Sequence, residues 1–350
     1  MSSLLEIPGV SHEVATFVRA GLALAIACGL VLGLGRWTIE RLRNFCRDTN
    51  ASPSQSLRQL HAAKRATPSM GGLLIIAAFF VALAVCGSVT DPRVILAAVV
   101  ALGMGTIGAV DDLAKSRTHG RGLSRRQKLI SQTMVAALVA VGLDTYLNTT
   151  PNPWFIAISS VVLIATSNAV NLTDGLDGLA AGCASWAGAG LAVVAWLSVA
   201  EDPSFGEIVV IASSLVGASL GFVRFNRWPA QMFMGDTGAL ALGGVLGYLA
   251  IVSQHQGLWM LVGAVFIVET LSVIVQIAWF RATGRRVLRC APLHHHFQFM
   301  GWPEPTIVRR LCAVAAVCAL TAVGLSHLTH HRAQTSVQSM AAAHVQHPVR

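Results

Sequence analysis

Gly71-Gly-Leu-Leu-Ile-Ile-Ala-Ala-Phe-Phe-Val-Ala-Leu-Ala-Val-Cys86 contains no charged residue. After six intervening residues, Arg93-Val-Ile-Leu-Ala-Ala-Val-Val-Ala-Leu-Gly-Met-Gly-Thr-Ile-Gly-Ala-Val110 repeats the pattern and runs into Asp111-Asp112. A bilayer core takes roughly 20 mostly apolar residues as a helix. Two such runs joined by a short turn read as a membrane hairpin, with a pair of acids where the second run leaves the hydrocarbon.

The same reading extends outward along the chain. Of 350 residues, 54% are hydrophobic and 12% charged, about half the charge of a soluble domain. The expected fold is all-α and polytopic, with ten spans near 14–35, 71–90, 93–110, 130–148, 154–172, 178–200, 208–223, 238–253, 258–280 and 307–327. Residues 1–12 lack the basic start of a signal peptide, so the first run is expected to stay as a membrane helix. The division is a first helix with a basic segment over 1–60, a catalytic membrane region over 61–327, and a polar tail over 328–350. That tail, with His330, His331, His344 and His347, has no apolar periodicity and is expected to be disordered.

Net charge is +9, which raises the question of nucleic acid. Placement answers it. All Lys and Arg except Arg19, Arg93, Arg332 and Arg350 fall in one alternating set of loops. Positive charge stays cytoplasmic, so both termini are expected outside, and the charge is a topology signal with no nucleic acid implied. The seven cysteines lack metal spacing and read as small buried residues.

The acids carry the chemistry. Asp111, Asp112, Asp174, Asp177 and Asp236 all fall at the expected cytoplasmic ends of spans. One such acid is as easily a helix cap; several from separate helices at one face suggest a lined cavity. Asn168, Asn171, Asp174 and Asp177 recur every three residues, which on a helix makes one polar stripe. Carboxylates beside basic loops suit Mg²⁺ and phosphate, with Lys64, Lys115 and Lys128 available to offset a diphosphate; singly, each lysine is also a plain topology charge. Ala291-Pro-Leu-His294-His295-His296 lies in the last cytoplasmic loop. If extended, it points His294 and His296 one way and His295 the other. It reads as a phosphate contact, a zinc site short of ligands, or a solvated run.

Thr67-Pro-Ser69-Met-Gly-Gly72, Asp111-Asp112, Asn168 to Gly178, Met234-Gly-Asp236-Thr-Gly238, the histidine segment and Gly301-Trp-Pro-Glu-Pro305 occur in an order that resembles the polyprenyl-phosphate N-acetylhexosamine-1-phosphate transferases. The resemblance spans roughly 60 to 327; Ser69 stands where that family more often has Thr. It implies a UDP-N-acetylmuramoyl-pentapeptide donor, an undecaprenyl phosphate acceptor in the lipid bilayer, lipid I and UMP as products, and Mg²⁺ as cofactor. It leaves a homodimer open. Asp111, Asp112, Asp236 and His294 are the expected catalytic residues, with metal at Asp236 and Asn171. Expected substrate contacts are Lys64, Thr67, Lys115, Lys128, Asn168, Asn171, Asp174, Gly175, Leu176, Asp177, Asn226, Phe233, Gln276, His295 and His296. A sibling enzyme using UDP-N-acetylglucosamine shares the aspartates. A transporter, the rival from another class, would place charge near the bilayer midplane and show internal repeats; Glu269 is the one acid deep in a span.

Overall fold

The computed structural model describes residues 11–45, 67–118, 121–253 and 256–346. Twelve helices are described: α1 (His12–Phe45), α2 (Gly72–Cys86), α3 (Pro92–Arg117), α4 (Arg125–Leu147), α5 (Pro153–Thr173), α6 (Leu179–Leu197), α7 (Phe205–Asn226), α8 (Gly235–Val252), α9 (Gln256–Val262), α10 (Ala264–Thr283), α11 (Leu293–Phe299) and α12 (Glu304–Gln346). The protein is an all-helical polytopic membrane protein. Among the described residues, nine helices are long and apolar enough to cross, and α2 is a shorter apolar helix.

Local sequence sets the starts. Asp91 accepts the Arg93 N–H at 2.8 Å ahead of Pro92, and Asn152 accepts the N–H groups of Trp154 and Phe155 ahead of Pro153. Each pairs a side-chain cap with proline at the one turn where its missing N–H costs nothing. Ser124 and Gln127 form a reciprocal capping box at the head of α4.

Packing then sorts the helices. In α8, 89% of the spanning window is buried, against 17% in α10, so α8 is the axis of the bundle and α10 lies at its rim. α3 and α5 clasp α8, while α7 packs between α1 and α6. A Cβ on Gly108 would fall 2.2 Å from the Asp236 carbonyl oxygen, so α3 and the head of α8 touch backbone to backbone. At the opposite end, Arg19 meets Glu207 at 2.5 Å, and Glu207 accepts the Ser88 N–H at 3.0 Å, tying α1, α7 and the turn after α2.

Three expectations change. The span over 258–280 is two helices, because the chain breaks at Gly263 and α9 packs on α12 while α10 leans on α5. The 168–177 stripe does not continue as helix: α5 ends at Thr173, and Asp174 to Gly178 form a turn. The histidine segment is the short helix α11, entered through Pro292, so the alternation of an extended chain does not apply. α12 runs on to Gln346, past the point where periodicity is lost.

Candidate active site

The site is built at one end of the bundle from α3, α4, α5 and α8. Asp111 and Asp112 end the buried part of α3, Lys115 follows one turn later, Lys128 stands in the first turn of α4, Asn171 in the last turn of α5, and Asp236 in the first turn of α8. Ligand oxygens of Asp111, Asp112 and Asp236 all lie within 4.8 Å of one another.

The two adjacent aspartates are used differently. Asp112 accepts the Asp236 N–H at 3.1 Å on one oxygen, and the Thr237 N–H at 2.9 Å and hydroxyl at 2.7 Å on the other. It caps α8 from a neighbouring helix, satisfying N–H groups that have no partner within α8 itself. Gly235 precedes them with φ +71°, and a Cβ there would meet the Asp112 carboxylate at 2.5 Å, so the turn requires glycine. Asp111 accepts the Leu123 N–H at 2.6 Å through Oδ1 and turns Oδ2 to Lys115 at 2.7 Å and Lys128 at 3.7 Å.

Asp236 gathers the rest. Its Oδ2 pairs with Lys128 and, at 3.1 Å, with Lys115; its Oδ1 accepts from the Asn171 amide at 2.9 Å. Two ammonium groups thus bridge carboxylates in a pocket where the Asp111 side chain is only 4% exposed and that of Lys115 is 34% exposed. Three oxygen-bearing acids suit a hard divalent cation. Lys115 and Lys128 beside these acids could offset phosphate charge.

The neighbouring segments are laced to this centre. The Phe233 N–H donates to the Pro68 carbonyl, and the Gly71 and Gly72 N–H groups donate back to Phe233 and Met234. This sets Thr67 and Ser69 beside the head of α8, and Lys64 lies outside the described residues. Asn168 is turned to α4, where its amide donates to Gln132 at 2.9 Å. Asp177 accepts the Ala230 N–H, and its own N–H donates to Glu304 of α12. Asn226 accepts the Gly178 N–H and donates to the Met232 carbonyl. Leu176 is buried between them, and Gln276 holds the backbone of Val287 and Leu288. Asp177, Asn226 and Gln276 therefore shape loops around the site.

In α11, His295 meets Gln298 at 2.7 Å, and His296 accepts the Arg289 N–H at 3.1 Å. His294 is buried, joined to Glu269 and seated on Gly175. Burial pushes the Cys290 thiol up from its ordinary value. Among the described residues, the three aspartates are the one group placed to share a metal ion. Sequence reasoning did not place Thr237, Gln132 or Glu304 at the site. Glu269 was noted only as the one acid deep in a span and was not placed at the site either.

Three carboxylates and two lysines gathered at one end of a bundle of membrane helices offer ligands for a hard cation and donors for phosphate oxygens. Residues 94–254 match the model of glycosyl transferase family 4, a segment that runs from α3 through α8 and takes in Asp111, Asp112, Lys115, Lys128, Asn171 and Asp236. The match supports a transferase that places a phospho-sugar on a polyprenyl phosphate in the membrane.

Proposed function

We propose that the chain is a phospho-N-acetylmuramoyl-pentapeptide-transferase. It would move phospho-N-acetylmuramoyl-pentapeptide from its UDP carrier to undecaprenyl phosphate at the cytoplasmic face of a bacterial inner membrane, giving lipid I and UMP. The observation that carries the proposal is the joining of Asp111, Asp236, Lys115 and Lys128. The histidine segment and Gly301 to Pro305 support the muramoyl donor over N-acetylglucosamine. Glu269, the acid a transporter would need free in its pathway, is instead engaged by His294.

The reaction joins two anions, so their repulsion must be offset first. Lys115 and Lys128 sit on carboxylates and can turn to the donor diphosphate without leaving the site. Asp236, with Asn171 beside it, would hold Mg²⁺, which would supply Lewis-acid charge to the diphosphate. Asp111 would be the better placed base for the last proton of the acceptor phosphate, because its Oδ2 meets lysine side chains that can turn to phosphate, whereas both oxygens of Asp112 hold the backbone at the head of α8. Attack of the acceptor oxygen on the sugar-bearing phosphorus forms the new P–O bond as the bond to UMP breaks. The same aspartate poised as a nucleophile would give an aspartyl-phosphate instead.

The test is UMP release by purified protein with undecaprenyl phosphate and either UDP-sugar. Release with the muramoyl donor is expected. Release with UDP-N-acetylglucosamine alone would move the protein to the sibling activity, and release with neither would remove the reading.

A further inference from the structure

Glu269 lies inside α10 and is 1% exposed; His294, in the loop helix α11, is 0% exposed. The two are joined by three contacts. The His294 N–H donates to Oε1 at 3.2 Å and to Oε2 at 3.3 Å, and Nδ1 lies 3.1 Å from Oε2. A carboxylate only accepts, so the ring proton on this side sits on Nδ1. That leaves Nε2 on the far edge, buried and without a protein partner among the described residues. A buried polar atom with no partner costs about 1–3 kcal/mol, so the fold keeps this one against a cost.

Nε2 faces the turn that follows α5. A Cβ on Gly175 would lie 2.3 Å from it, so only a residue without a side chain lets the ring stand there. Four residues earlier, Asn171 holds Asp236. The buried ring therefore abuts the same segment that steadies the acidic centre.

We infer that Glu269 is a positioning residue that fixes the His294 ring with Nε2 presented to the donor diphosphate at the Gly175 turn. This rests on the phospho-sugar transfer proposed above and adds to it a residue from outside the matched segment. An anionic phosphate oxygen accepts, so Nε2 would serve it as an N–H, and the Glu269 carboxylate supplies the counter-charge for a ring protonated on both nitrogens. Metal-ligating histidines are held in the same way by acids behind them, and loss of the acid there costs about ten- to a hundred-fold.

Glu269→Gln keeps the shape and removes the charge. In ¹⁵N-histidine spectra of the full chain in nanodiscs, UDP should shift one ring signal, the signal that His294→Asn deletes. In Glu269→Gln that signal should change its Nδ1 character and no longer respond to UDP. With both donors assayed for UMP release, Glu269→Gln should lose about ten- to a hundred-fold in kcat/KM for the donor, change the pH profile, and add little to the loss in His294→Asn. Glu269→Asp, one methylene shorter, should not restore the signal. A parent His294 signal that ignores UDP would overturn the inference, as would an unchanged spectrum and pH profile in Glu269→Gln. A parent that shows the ring response yet releases no UMP would sustain the placement of the ring and overturn the transfer reading instead.

Discussion

Asp111 and Asp112 are sequence neighbours with different partners, and the difference is measurable. Asp112 spends both oxygens on the first turn of α8. Asp112→Asn turns an N–H toward an N–H, so it should cost about 1–3 kcal/mol and lower the Tm in detergent. Asp111 keeps Oδ2 toward the two lysines, so Asp111→Asn should lower transfer by at least about a hundred-fold, the scale of a lost general base, with the smaller Tm change of the two. Equal Tm losses would refute the division of labour. Asp236 carries the metal prediction. Asp236→Asn should abolish UMP release and flatten its Mg²⁺ dependence while the protein still inserts in membranes; near-normal activity removes Asp236 from the metal site.

Between elements, the fit of α3 to α8 decides whether these carboxylates meet at all. Gly108→Ala puts a Cβ on the Asp236 carbonyl. The obstacle is backbone, which cannot swing away, so the helices must part. A destabilisation of about 1–3 kcal/mol and a loss of transfer are expected, read as a lower Tm beside the UMP assay; unchanged values in both would mean that the helices do not touch there. Helix identity was legible in the sequence because apolar length is a local property, while the caps at Asp91-Pro92, Ser124 to Gln127 and Asn152-Pro153 set starts that the apolar runs left open. The acids of the site were legible because charge beside hydrocarbon is rare. What stayed hidden depends on packing. Nothing in a three-residue spacing says that α5 stops at Thr173 and sends Asn168, Asn171 and Asp177 to different partners. Nothing local says that Gly263 breaks the span, since glycine is also common in unbroken membrane helices. The Glu269 contact joins residues 25 apart, and only the folded α10–α11 pair brings them together.

At the scale of the molecule, the two ends of the bundle carry different charge chemistry. One end holds the acidic centre, with Lys115, Lys128 and the arginines of 117–126 and 281–289 around it. The other is closed by self-contained pairs: Arg19 on Glu207, and Arg93 on Asp91 at 2.6 Å with Tyr248 donating to the Arg93 carbonyl at 2.7 Å. Loops rich in Lys and Arg are retained in the cytoplasm, and the basic loops follow the helix ends on the side of the acidic centre. The charged centre should therefore face the cytoplasm, where a UDP-linked donor is made. The measurement is cysteine accessibility in intact cells, with the native cysteines replaced and single cysteines introduced. Ser204→Cys, beside Arg93 at the paired end, should react with a membrane-impermeant maleimide from outside. Arg121→Cys and Arg285→Cys, in the basic loops, should react only after permeabilisation. The reverse pattern would set the carboxylates on the side away from any nucleotide donor and defeat the transfer reading along with the orientation. Labelling of all three from outside would instead mean that one helix among α4 to α6 and one among α7 to α10 do not cross.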